Sequence, residues 1–218
     1  MNFRNAMKPF SSASLLRLGA LLGLAALAGC NLPTAQPDPT RFFLLSVPGG
    51  ATAAAAAPAE ARAATLGLCR IELPAYLRTP AVVVRPGGTE VVRTRDARWG
   101  ESLEQGIARL LRETLLAQPG VRSVAAYPAP QSALPQYEIS VRVLACEGVA
   151  GSEGRRARFA AAWEIRATAA GAGVAPVATG TFESAPADWT EGDYAVLTAK
   201  LGEAVAALGR ELAAALPK

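Results

Sequence analysis

VVVRPGGTEVVRTRDARWGESLEQGIARLLRETL, residues 82–115, is the stretch on which the fold turns. Residues 82–85 are an apolar, β-branched run, Pro86-Gly87-Gly88-Thr89 is turn chemistry, and residues 90–93 resume the strand pattern, so a hairpin is predicted. Trp99, Leu103, Ile107, Leu110, Leu111, Thr114 and Leu115 then recur at the three- and four-residue spacing of one helix face. Asp96 is placed to cap that helix, and Gln118-Pro119-Gly120 to stop it.

Outward from this block the same alphabet repeats. Upstream, residues 41–45 (RFFLL) and 65–73 predict strands, and residues 74–77 a turn. Downstream, residues 121–126 predict a short strand, followed by a proline-rich link. Tyr137, Ile139, Val141, Val143 and Ala145 alternate with Glu138, Ser140 and Arg142, as a half-buried strand requires. Residues 148–154 are read as a turn, after which Phe159, Ala161, Trp163 and Ile165 alternate with charged neighbours. A Gly/Ala-rich turn at 169–173 leads to a last strand at 176–184. Thr190 fits an N-cap, Trp189 can staple onto Tyr194, and Leu197, Leu201, Val205, Leu208, Leu212 and Leu216 complete a helical stripe. The expectation is an α/β (α+β) two-layer sandwich, a mixed or antiparallel sheet covered by two main helices.

The start of the chain has different chemistry. Arg4, Lys8 and Arg17 precede an apolar run at 18–28, too short to span a bilayer, which takes ~20 residues. A basic start and a short apolar core describe a secretory signal peptide. Leu27-Ala28-Gly29-Cys30 closes it in the manner of a bacterial lipobox, which predicts a diacylglycerol on the Cys30 thiol after cleavage. Residues 1–29 are therefore read as the signal, 30–40 as acylated N-terminus and tether, and 41–218 as a single domain. The tether (NLPTAQPDPT, 31–40) spans about 30 Å if extended. Residues 48–64 are an alanine-rich loop to which no function is assigned.

Composition then excludes classes. The precursor has 22 Lys and Arg against 18 Asp and Glu, but the signal holds three cations and no acid, so the mature chain is nearly neutral. Nucleic acid is not an expected partner. There is no histidine, which removes the commonest acid–base group and metal ligand. With Cys30 acylated, Cys69 and Cys146 are too few for a thiolate zinc site, and no phosphate-binding loop is present. Ser152 lies between glycines without forming a nucleophile elbow, and Glu101 and Glu104 suit a solvated helix start. No catalytic residue, metal or cofactor is assigned; the chain is read as a binding or docking protein.

Two features of the body bear on partners and redox state. Arg78, Arg85, Arg93, Arg95 and Arg98 face only Glu90 and Asp96 over residues 78–98. Alternation sets Arg93 and Arg95 on one face of a strand. They are either the charges that protect an edge strand or, with Arg85 and Arg98, a patch for carboxylates or anionic headgroups. An oxidising envelope makes a Cys69–Cys146 disulfide the default. Parity opposes it: Cys69 alternates with Ile71 and Leu73, whereas Cys146 shares the face of Glu138, Ser140 and Arg142, unless a bulge reverses one of them.

LPAYLRTPAVVVR (73–85) and ARWGESLEQGIARLLRETL (97–115) resemble the PqiC-type ABC-transport auxiliary lipoproteins of Gram-negative bacteria. Arg41, Phe42, Phe43 and Leu45 match the family's Arg-aromatic-aromatic-x-Leu after the lipid-bearing cysteine, and Tyr76, Leu77, Arg85, Trp99 and Leu103 match its later motif. Arg78-Thr79 stands where an Asp-Arg pair is common. The resemblance implies a two-layer α/β domain anchored to the periplasmic face of the outer membrane. It further implies an auxiliary role in lipid transport between the membranes, in which a mammalian-cell-entry (MCE) protein of the periplasm docks on the lipoprotein. Asn31, rather than aspartate, after the acylated cysteine agrees with that destination. A homo-oligomer is compatible with this reading. The alternative is a structural or assembly lipoprotein of the envelope with no transport role.

Overall fold

The computed structural model describes residues 37–47, 64–126, 134–151, 154–168 and 175–217. The signal segment, Cys30, Asn31, most of the tether, the alanine-rich loop through 63 and the 169–173 turn lie outside the described residues.

Two long strands dominate. β6 (Tyr137–Gly151) pairs antiparallel with β7 (Gly154–Ala167) along its length, with Ile139 opposite Ile165 and Val141 opposite Trp163. The other edge of β6 is shared end to end. β2 (Ala64–Leu68) runs parallel to its start, Glu72 bridges to Arg142, and β3 (Ala81–Gly87) runs parallel to its end, Val84 opposite Gly148. β5 (Val121–Ala126) lies outside β2. β4 (Glu90–Trp99) lies outside β3, and β1 (Arg41–Phe43) outside β4. Beyond β7 come β8 (Ala178–Glu183) and β9 (Ala187–Asp188). The result is one mixed nine-stranded sheet with two helices, α1 (Leu103–Leu116) and α2 (Tyr194–Ala214). This is the expected α+β sandwich.

Both helical stripes are buried. Ile107, Leu111 and Leu115 of α1 and Leu197, Leu201, Val205, Leu208 and Leu212 of α2 are fully covered, as are Ile139, Phe159 and Ile165 of the sheet. Each such side chain contributes ~1.5–3 kcal/mol, which makes this seam the main source of stability. Small residues set the spacing. A Cβ at Gly209 would fall 2.8 Å from Thr114, where the helices meet. A Cβ at Gly202 would fall 2.3 Å from the Ser46 carbonyl oxygen, so α2 admits the chain leaving β1 only because position 202 has no side chain. Arg109 of α1 donates to the Leu45 carbonyl at 2.9 Å and to Glu101 at 2.7 Å, fastening the same crossing.

The structure moves several boundaries. β4 continues to Trp99, so Asp96 caps nothing; Ser102 is the N-cap and accepts from the Gln105 amide at 3.2 Å. Trp99 is buried at a strand end rather than on the helix. In α2 the cap is Asp193, not Thr190, although Trp189 does lie against Tyr194 with 6.1 Å between ring centroids. The 65–73 strand ends at Leu68, the last full strand is 178–183, and the 148–154 "turn" is mostly strand because β6 and β7 extend to Gly151 and from Gly154.

Cys69 and Cys146 are free thiols, and each lies on the face opposite to the one parity assigned. The β6–β7 register slips between Val143 and Ala145, a bulge that turns Cys146 inward opposite Phe159. Cys69, past the end of β2, instead meets Ser140 on the helix-free face. The two inversions leave the thiols apart.

Candidate docking site

After β2 the chain stays on the edge of β6 through Glu72, whose backbone donates to the Val141 carbonyl at 3.0 Å and accepts from the Val143 amide at 2.8 Å. Pro74 then opens a single 3₁₀ turn, Ala75–Leu77, that inserts Leu77 into the core. Arg78 closes it by donating to the Leu73 carbonyl at 3.1 Å. The Pro80 carbonyl accepts from the Trp99 amide at 2.7 Å, which brings the turn against the start of α1.

Between turn and helix lie two adjoining hollows of about 530 and 660 Å³ that share Leu73, Arg78 and Glu104. The smaller is lined largely by apolar groups, among them Leu73, Leu77, Pro80, Trp99 and Leu103. The larger is rimmed by two ion pairs, Arg70–Glu104 and Arg142–Glu72, both 2.7 Å. Exposed pairs of this kind contribute ~0–1 kcal/mol to stability. Leu77 meets Trp99 and Leu103, which lie more than twenty residues further along the chain, in one groove.

The two remaining motif residues of this block meet beneath it. Arg85 donates from Nε to Glu147 Oε1 at 3.0 Å, and its guanidinium stands 5.9 Å from the centre of the Tyr76 ring. The Glu147 side chain is 0% exposed, and its Oε2 has no hydrogen-bond partner among the described residues. It alternates with Gly148, which lies under Trp189 and Leu197 of the helix side, so Glu147 occupies the helix-free face and is buried there by its neighbours. Burial, and then the charge of Glu147, push the Tyr76 phenol up to about 12; its hydroxyl also reaches the Leu144 carbonyl at 3.4 Å. The hydrogen bond to Glu147 raises the Arg85 guanidinium further and holds it charged. Nothing in the local pattern singled out Glu147. The bulge at Leu144 and the extension of β6 past 145 decide its orientation, and neither is visible as periodicity.

The sequence pattern of the ABC-type transport auxiliary lipoprotein component family matches residues 43–213, nearly the whole described body. The chain belongs to this family. Among solved structures, a Xanthomonas campestris protein of the DUF330 family is similar in fold at 16% identity and a TM-score of 0.59, over 70% of this chain and 83% of the other. An uncharacterised protein is similar at 15% identity and a TM-score of 0.61, over 80% of this chain and 97% of that one. No curated protein sequence matches the chain.

Of the residues that carry the sequence resemblance, Tyr76 and Arg85 stand at the buried carboxylate, while Leu77, Trp99 and Leu103 line the groove. The first motif behaves differently at each position. Phe43 packs on the core and on Tyr194, 6.5 Å between centroids, with Arg41 over its ring at 5.2 Å. Phe42 is 67% exposed.

The structure separates the arginines. Arg85 is committed to Glu147, and Arg78 to the turn. Arg93 and Arg95 are exposed on the outer strand β4, and Arg98 is half-buried beside β1. The β3–β4 register slips by three residues between the pairs Ala81–Arg98 and Val83–Arg93, and the Thr94 hydroxyl donates within the irregular segment to the Val82 or Ala97 carbonyl at 2.9 and 2.7 Å. Alternation is therefore no guide to the face that Arg95 takes. No cluster of potential metal ligands occurs among the described residues, and no described helix is long and apolar enough to cross a membrane.

Proposed function

We propose that this family member is a non-enzymatic lipoprotein, acylated at Cys30 and held on the periplasmic face of the outer membrane. It acts there as the docking component of a lipid-transport system whose MCE-type protein reaches it across the periplasm, and so supports envelope integrity. The observation that carries the reading is the family match over 43–213; beside it, Leu77, Trp99 and Leu103 of the sequence resemblance line the groove between the 75–77 turn and α1. An apolar hollow ringed by polar and charged groups is the usual form of a protein-docking hot spot, because the rim excludes water from the apolar centre. The ion-paired rim fits a partner segment that carries both an apolar anchor and a charge.

Purification of the native protein from a mild detergent extract, with identification of what accompanies it, tests the partner. Separation of the two membranes on a density gradient tests the location. An MCE-type protein in the first and an outer-membrane position in the second are expected. Recovery in the inner membrane, or capture without any MCE-type protein, contradicts the proposal.

A further inference from the structure

We infer that the β1–β4 corner is a seat for an anionic lipid surface, which sets the domain's orientation on the bilayer that carries its anchor. The inference rests on the acylation of Cys30 proposed above. In β1 the side chains divide cleanly. Phe43 turns inward, and its register partner Trp99 is buried. Phe42 must point to the opposite face, beside its partner Arg98, and is 67% exposed. Leu44 follows at 52% exposure; its neighbour is Gly100, where even a Cβ would come within 3.2 Å of the leucine, so no side chain shields it. Two large apolar groups thus stand side by side at the rim of the sheet, next to an arginine.

Charge and chain length say what covers them. Arg98 stands beside Phe42, and Arg93 and Arg95 are exposed farther along β4 among the acids Glu90 and Asp96, while Arg41 lies over the Phe43 ring on the inner side. A second copy pairing symmetrically along this edge would bring the same arginines together, which opposes it. An anionic bilayer meets both features: the apolar side chains enter the acyl boundary while the arginines stay at headgroup level. The corner is also where the chain arrives from Cys30. A tether of about 30 Å at most keeps β1, of all the strands, within reach of the surface.

The test uses the full acylated protein in vesicles of phosphatidylethanolamine and phosphatidylglycerol with brominated acyl chains, which quench tryptophan on contact. The resident Trp99, Trp163 and Trp189 are buried and serve as background. Phe42→Trp and, separately, Leu44→Trp place a reporter at the seat with little structural cost, since both positions are exposed. Flotation with the vesicles reads the acyl anchor; quenching beyond the parent's reads the seat. Both variants should float and show added quenching. That added quenching should be lost toward about 1 M salt, where the screening length falls to ~3 Å, while flotation persists. Flotation with no added quenching in either variant overturns the seat and leaves the anchor standing. Added reporter fluorescence changes that follow protein concentration rather than lipid would show a second copy at this edge, and also overturn it. Failure to float removes the acylation reading and the seat with it.

Discussion

Arg85→Met isolates the buried carboxylate and shows how much of the domain depends on one ion pair. The methionine keeps the aliphatic bulk but leaves Glu147, 0% exposed, without the guanidinium that pairs with it at 3.0 Å. Removing one member of a buried pair costs roughly 3–5 kcal/mol, because the remaining charge stays desolvated. The Arg85 side chain is 28% exposed, so water partly screens the pair and the lower end, about 3 kcal/mol, applies. Against a total of about 5–15 kcal/mol that is a large fraction. It corresponds to a fall in Tm of about 6–12 °C at this chain length. Adding Glu147→Leu should recover most of the loss, since an apolar pair can replace a buried ion pair at little cost. Urea unfolding of parent, single and double variants near pH 7.5 is the assay. A single variant that loses under about 1 kcal/mol, or a double variant as unstable as the single, refutes the reasoning.

Gly202→Ala should destabilise by about 3 kcal/mol, the upper end for overpacking, because its Cβ would sit 2.3 Å from backbone that cannot step aside; wild-type stability in the same unfolding assay would refute it. Tyr76 should remain un-ionised near pH 11, where an ordinary phenol of pKa ~10 has titrated, and the domain should lose stability as pH rises from about 10 toward 12. Absorbance titration checks this: Tyr76→Phe should remove one late group, and a parent with no late group contradicts it. Both body thiols should label in denatured, unreduced protein, and in the folded state Cys69 should react before Cys146, which is 1% exposed; two blocked thiols would establish a disulfide instead.

Where a local pattern ran uninterrupted, it translated directly into structure. The 82–93 hairpin, the helical stripes of α1 and α2 and the alternation of Ile139, Val141 and Val143 are each set by period and turn chemistry. Pattern failed where two local signals competed. Asp96 and Ser102 are both good caps, but continued pairing with β3 and β1 holds the chain extended through Trp99, so the helix waits for Ser102. Thr190 loses to Asp193 in the same way, with Gly192 at φ +84° turning the chain between them. It also failed at every slip of register. The bulge at Leu144 reversed Cys146 and buried Glu147, which turned a surface-looking acid into the partner of Arg85. The groove could not be read at all before the fold, because Leu77, Trp99 and Leu103 meet only through the 75–77 turn and the β4–α1 junction. Their joint appearance in a family motif was the one signal available.

Photo-crosslinking from the groove in intact cells tests the docking claim most directly. A photoreactive residue at Leu144 (49% exposed at the rim of the groove) or at Thr79 is compared with one at Lys200 on α2, away from it. Crosslinks from Leu144 and Thr79 to an MCE-type periplasmic protein, with none from Lys200, are the predicted result. A groove that crosslinks to nothing, or a partner reached equally from Lys200, would contradict the account.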